Sequence, residues 1–129
     1  MKKKLSKSII SFICILVLSS SMIFCFAETV STTEFGDFTY YCNPSGTGIG
    51  GSTTITKTSS SIYLETRGSL VYYNTGNEIY DDYDGAYNIK KAYIILWRST
   101  ETGTLKGFFT HEARGTSSIA RYTSGLLYE

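Results

Sequence analysis

The stretch LKGFFTHEAR, residues Leu105–Arg114, alternates between apolar and polar residues at almost every step. Successive side chains of a β-strand point to opposite faces, so this alternation predicts a strand with one buried face. The buried face would carry Leu105, Gly107, Phe109, His111 and Ala113, and the solvent face Lys106, Phe108, Thr110, Glu112 and Arg114. The single histidine, His111, is therefore expected to be buried and hydrogen-bonded.

The chain after residue 27 has the composition of a β protein, with many tyrosines and threonines. Residues 89–98 are apolar on both faces, which predicts a central strand covered on both sides, and residues 28–33 are expected to form a loose arm. We predict an all-β fold, a small antiparallel β-sandwich or barrel of about seven to eight short strands, in a single domain spanning residues 28–129. The predicted strands cover residues 35–42, 53–57, 62–67, 70–73, 89–98, 105–114, 118–123 and 126–128.

The first 27 residues have the pattern of a cleaved signal peptide. A lysine-rich start, typical of bacterial signals, precedes an apolar run over residues 9–18, and the small residue Ala27 precedes the predicted cleavage site at Glu28. We therefore expect a secreted, extracellular protein that contacts the membrane only through this segment before cleavage.

Two other interpretations of this segment remain open. Residues 9–27 are just long enough for an uncleaved membrane anchor, although three consecutive serines at 19–21 weaken that interpretation. A lipoprotein signal would need a small residue before Cys25, where Phe24 stands.

Charge and cysteine content narrow the function classes. The segment after residue 27 carries eight lysines and arginines against 11 acidic residues, a net charge of −3. A slightly acidic domain lacks the basic surface with which nucleic-acid binding begins, so we expect no nucleic-acid partner. Cys42 is the single cysteine outside the leader, which excludes an internal disulfide and predicts a small buried side chain, with intermolecular pairing as the alternative.

The glycine-rich stretch at residues 46–51 satisfies the spacing of a dinucleotide-binding loop. A strand composition follows it in place of the required helix, so we interpret it as a flexible loop and expect no cofactor. A nucleophilic pair of Cys42 and His111 is conceivable, but neither residue has local support for it. The chain holds too few nitrogen and sulfur ligands for a zinc site.

Four acidic residues cluster before Gly85, and clustered carboxylates are the ligands that calcium prefers. The spacing does not fit an EF-hand, so the alternatives are a solvated Asp-Gly turn and a weak calcium site. The candidate ligands are Glu78, Asp81, Asp82 and Asp84.

Tyrosines are dense in the same region. A tyrosine joins an apolar ring to a polar hydroxyl, which suits both recognition surfaces and half-exposed positions of a sheet. The candidate ligand-binding residues are Tyr72, Tyr73, Tyr80, Tyr83 and Tyr87.

Together these features favour a secreted, non-catalytic β-domain that binds cell-wall glycan or another extracellular protein. The plan of a leader followed by a β-domain also resembles that of small secreted bacteriocins in general character, a resemblance that transfers no site residues. A secreted antagonist of other cells is therefore the first alternative, and a small secreted hydrolase the second.

Overall fold

A computed structural model describes residues 27–129, and these residues form an all-β fold of eight strands. The predicted signal peptide lies outside the described residues except for Ala27, and the first strand begins at Glu28. Within the described part of the chain, no helix is long and apolar enough to cross a membrane. The strands are β1 (Glu28–Thr32), β2 (Gly36–Ser45), β3 (Gly48–Ile55), β4 (Tyr63–Tyr72), β5 (Glu78–Tyr87), β6 (Lys91–Trp97), β7 (Leu105–Arg114) and β8 (Ser118–Leu127).

The strands form two four-stranded antiparallel sheets that pack face to face. Sheet A has the order β1-β2-β3-β6, and sheet B has the order β5-β4-β7-β8. The predicted all-β class is therefore confirmed, and the architecture is a small sandwich.

Strand β7 has the boundaries that its sequence predicts, and all five residues assigned to its inner face are buried. Its position between β4 and β8 in sheet B explains this, because a strand with a neighbour on each side has one face packed against the other sheet and one face outside. On the outer face the prediction is wrong for Lys106, which is buried with its ammonium 4.6 Å from the centroid of the half-buried Phe108 ring.

The acidic segment is a strand and not a turn. Residues Glu78–Tyr87 form β5, the edge of sheet B, and pair with β4 along its length. Conversely, β6 is an edge strand of sheet A and not the central strand expected for residues 89–98. Its inner residues are buried and its outer residues largely exposed, so the apolar residues on its outer face belong to a surface.

The N-terminal and glycine-rich segments also differ from their predictions. Residues 28–32 are strand β1, paired with β2, and residues 48–51 are the buried start of β3 instead of a flexible loop. Strand β2 continues through Pro44, which the sequence placed at its end. The proline is tolerated because β1 pairs only with Gly36–Tyr40, so Pro44 has a neighbour on one side alone.

The core consists of two apolar clusters with polar residues between them. One cluster is centred on Phe35 and Phe38, and the other on Leu70, Leu96 and Phe109. Between them lies a buried row of hydroxyls and one imidazole, which we call the polar belt: Thr53 on β3, Thr66 on β4, His111 on β7 and Thr123 on β8.

Hydrogen bonds through the polar belt cross repeatedly between the sheets. Thr66 Oγ1 donates to the Ala92 carbonyl (2.9 Å), and Thr53 Oγ1 is hydrogen-bonded to Thr66 Oγ1 (2.6 Å) and to His111 Nδ1 (2.8 Å). The other ring nitrogen, His111 Nε2, is hydrogen-bonded to Thr123 Oγ1 at 2.7 Å. The expectation of a buried, hydrogen-bonded histidine is confirmed, and burial lowers the pKa of His111 to about 4.

Candidate binding surfaces

The five predicted tyrosines do not form one patch. Tyr83 and Tyr87 lie on the outer face of sheet B and are more than half exposed, at 56% and 63%. Tyr72 and Tyr73 lie at the end of β4, where the chain turns towards β5. Tyr80 pairs with the buried Leu70, so its side chain points from β5 towards the other sheet.

The outer face of sheet B carries four tyrosines, the fourth being Tyr122 on β8, together with two arginines and the buried Lys106, and we call this surface the polar face. Tyr63 on β4 contacts Tyr87 on β5 edge to face, with ring centroids 5.1 Å apart. The Arg114 guanidinium lies 4.6 Å above the Tyr63 ring, and that of Arg67 lies 4.8 Å above the Tyr83 ring. Tyr83 and Tyr87 therefore lie among cations that the sequence prediction did not include.

Acidic residues pair with these arginines. Arg67 binds Glu65 and Arg114 binds Glu112, each with an N–O distance of 3.3 Å. The hydrogen bond that Arg67 donates to the Glu65 carboxylate raises the pKa of Arg67. Both arginine side chains are 51% exposed, but Glu65 is 12% exposed against 28% for Glu112. The Arg114–Glu112 pair is therefore a surface pair that contributes little to stability, whereas Arg67 partners a largely buried carboxylate.

The four acidic residues proposed as calcium ligands are separated by the alternation of β5. Glu78 accepts a hydrogen bond from Ser69 Oγ, and Asp82 accepts one from the Tyr83 amide. Asp84 accepts the amide of Tyr93 on the other sheet, at 2.9 Å. In residues 27–129 no group of three or more histidine, cysteine or acidic side chains could hold a metal ion, so the geometry gives the calcium site no support.

The outer face of sheet A carries a second aromatic surface along β6. Tyr93 and Trp97 are 40% and 48% exposed, and Ile95 is half-buried between them. Because these residues alternate along one strand, their side chains share a face, and Tyr93 and Trp97 stand about 13 Å apart. We call Tyr93, Ile95 and Trp97 the aromatic platform.

Glycines of β3 form the floor of the aromatic platform. A Cβ atom at Gly48 would lie 2.7 Å from Ile95 and 2.8 Å from Trp97, and one at Gly50 would lie 2.9 Å from the Tyr93 hydroxyl. The side chains of the platform therefore lie flat against the backbone of β3, which only residues without a side chain allow.

One buried hydroxyl lies beside this floor. Ser52 pairs with Tyr41 on one side and Tyr93 on the other, and its neighbours Gly51 and Thr53 face the core, so Ser52 faces the platform side of sheet A. Its Oγ is one of two buried side-chain oxygens in the described residues that have no hydrogen-bond partner.

Two of the predicted site residues, Tyr80 and Asp84, hydrogen-bond to the backbone of β6, the strand that carries the platform. Lys90 and Arg98 make backbone hydrogen bonds to Ile55 and Thr47 on the β3 side, so the odd-numbered residues of β6 turn their amides towards β5. The Tyr80 hydroxyl accepts the Trp97 amide at 2.5 Å and donates to the Trp97 carbonyl at 3.3 Å. Together with Asp84 at Tyr93, this contact fixes the backbone of both aromatic residues.

The sequence contains a signal for the platform that the prediction missed. Gly48 and Gly50 alternate on β3 in the same way that Tyr93, Ile95 and Trp97 alternate on β6. Aromatic side chains often cover glycines of a neighbouring strand. The sequence does not show that β3 pairs with β6, so the two patterns could not be joined.

The two residues of the conceivable nucleophilic pair each bind other groups. The ring nitrogens of His111, which is fully buried, bind the hydroxyls of Thr53 and Thr123. Cys42 is buried, as expected, and its thiol donates to the Ser124 carbonyl at 3.3 Å. Tyr40 covers the imidazole, and burial raises the pKa of this tyrosine to about 12.

Comparison with known proteins gives no relative for these surfaces. No known protein family matches the chain, and no curated protein matches its sequence. Function must therefore be argued from the two surfaces themselves.

Proposed function

We propose that the protein is a secreted, non-catalytic binding module that attaches to cell-wall glycan through the aromatic platform. The observation that carries this proposal is the row of Tyr93, Ile95 and Trp97, exposed on an edge strand and lying over a glycine floor. Large apolar side chains held at a surface are a feature of recognition sites.

The chemistry of the platform favours a sugar chain as the ligand. A sugar ring has an apolar face that packs on an aromatic ring and hydroxyls that need polar partners at its rim. The platform offers Trp97 and Tyr93 for stacking, and the tyrosine hydroxyl and the Lys91 ammonium above the Tyr93 ring are polar groups at its edge. A linear glycan that runs along β6 would contact both aromatic residues.

The rigidity of the platform also supports binding. Tyr80 and Asp84 hold the backbone at Trp97 and Tyr93, so the strand that carries the rings needs little ordering when a ligand arrives. Export is supported by the leader pattern and by the start of β1 at Glu28, one residue after the predicted cleavage position.

The test is co-sedimentation of the purified protein with isolated cell-wall material. We expect saturable binding that falls at least about tenfold in a Tyr93→Ala/Trp97→Ala variant, because the loss of buried aromatic contacts removes most of the binding energy. The matched control is Tyr83→Ala/Tyr87→Ala, which removes two exposed tyrosines from the other sheet.

The possible results distinguish an error about the binding surface from an error about the function. Equal losses in the two double variants would mean that the platform is not the binding site. A wild-type protein that stays in the supernatant at every wall concentration would overturn the proposal itself.

A further inference from the structure

The polar face has features of a protein interface that glycan binding by the opposite sheet does not use. It carries exposed tyrosines and arginines, which are enriched at the centres of protein interfaces. Within the described residues its tyrosines and arginines contact one another, with Arg67 over Tyr83 and Arg114 over Tyr63.

The charges of the polar face occur in both signs and are interleaved. Arg67 pairs in register with Tyr83 and lies near Asp81, whose charge raises the pKa of the guanidinium. Arg114 lies beside Glu112 on the same side of β7. A surface of this kind matches a copy of itself, because a two-fold axis can bring the arginines of one copy opposite the acids of the other.

We propose that the polar face pairs with the polar face of a second copy, forming a symmetric dimer. Interleaved signs favour self-association over a partner of one sign, since a strongly basic or acidic partner would leave half of these groups opposed by like charge. This proposal goes beyond the proposed function and does not depend on it, because the platform lies on the other sheet.

The size of the open surface predicts a weak dimer. The face is open over about seven residues of four strands, so it measures about 23 by 19 Å and would bury roughly 900 Å² in total over both copies. Interfaces of that size belong to weak and transient complexes. We therefore expect an equilibrium between monomer and dimer that depends on concentration and weakens as salt is added.

Charge variants test the pairing by sedimentation velocity across a concentration series at low salt. Arg67→Glu/Arg114→Glu makes the face acidic, and Asp81→Lys/Glu112→Lys makes it basic. Each variant alone is expected to associate at least about tenfold more weakly than the wild type, because like charges then meet. An equimolar mixture of the two is expected to associate again as a heterodimer.

Controls exclude loss of folding and use of another surface. Each variant must retain the circular dichroism spectrum of the wild type, and Trp97→Ala, on the other sheet, must associate as the wild type does. A wild type that is monomeric at every concentration overturns the proposal, as do two single-sign variants that associate unchanged. If both variants are folded and their equimolar mixture does not associate, that result also counts against the proposed dimer.

Discussion

Exposed aromatic residues have different surroundings on the two outer faces of the sandwich. On sheet A, Tyr93 and Trp97 lie over glycines and are held through their backbone by Tyr80 and Asp84. On sheet B, tyrosines stand beside arginines whose charges are paired with glutamates.

This difference shows what each surface offers to a ligand. The platform presents flat apolar area on a fixed backbone, which suits a ligand with an apolar face. The polar face presents side chains that are already satisfied by one another, so a ligand must replace each ion pair with an equivalent one. Exposure of tyrosine alone does not distinguish the two, since the most exposed tyrosine, Tyr87, is on the polar face.

The largest effect should come from the polar belt, which couples the two faces. The unfolded histidine has a pKa near 6.5 and the folded one about 4, so the unfolded chain binds more protons between these values and stability falls as the pH falls through them. The loss amounts to about 3 kcal/mol by pH 4, and it is absent above pH 6.5.

Urea unfolding at pH 7 and pH 4 measures this loss. His111→Gln keeps a polar group but lacks the titration, so its stability should change less between the two pH values. The exposed carboxylates titrate equally in both proteins and cancel in the difference. An identical pH dependence in variant and wild type would show that His111 does not make the sandwich sensitive to acid.

The next effect compares neighbouring glycines on β3. A Cβ at Gly51 would lie 2.3 Å from the Phe109 ring inside the core, whereas one at Gly50 would meet the movable end of Tyr93 at 2.9 Å. We expect Gly51→Ala to lower the free energy of unfolding by about 2 kcal/mol and Gly50→Ala by less than about 1 kcal/mol. Urea unfolding measures both, and a larger cost for Gly50→Ala would mean that the platform is packed as tightly as the core.

A smaller effect should follow from Tyr80→Phe. This change removes a hydroxyl on β5 of sheet B that hydrogen-bonds to the backbone of β6 in sheet A. The variant leaves the Trp97 amide and carbonyl without this partner, at a cost of about 1 kcal/mol. Trp97 is the only tryptophan, so its fluorescence reports directly on the platform. We expect a shifted emission and weaker wall binding, with self-association unchanged, and an unaltered emission spectrum would argue against this positioning role.

The smallest effect on stability should come from Arg114→Ala. Its ion pair with Glu112 has both side chains partly exposed to solvent, so the free energy of unfolding should fall by no more than about 0.5 kcal/mol. The same change should weaken self-association without altering wall binding. A loss of stability above about 1 kcal/mol would mean that the polar face is a structural element of the monomer.

The sequence predicted best those strands that have one face packed in the core and the other face towards solvent. Strand β7 is such an element: its bounds and its inner face were predicted correctly because it lies inside sheet B with one side packed in the core, whereas Lys106, predicted to face solvent, is buried. Strand β4 was divided at Gly68, because glycine usually weakens a strand. The glycine is required there, since a Cβ would lie 2.9 Å from both Ile94 and Phe109.

Of the four edge strands, β8 was predicted in two parts, while β1 and β5 were not predicted as strands and β6 was expected to be central, for a physical reason. An edge strand has one side without a neighbouring strand, so its inward positions near the rim accept polar residues such as Asp84, and its outward positions can carry Trp97. These substitutions remove the alternation on which the prediction depends. Tyr83 and Tyr87 were found by composition, but their grouping with Arg67 and Arg114 depends on pairings that no local pattern encodes.

The contacts that Tyr80 and Asp84 make with β6 also bear on aggregation. An edge strand rich in tryptophan, isoleucine and tyrosine would ordinarily be a template on which further chains add as amyloid-like strands. Incoming strands need a regular row of amides, and the amides of Tyr93 and Trp97 are occupied by side chains. Only the amide of Ile95 between them would be available, so these two side-chain contacts oppose the addition of a further strand along the exposed aromatic residues of β6.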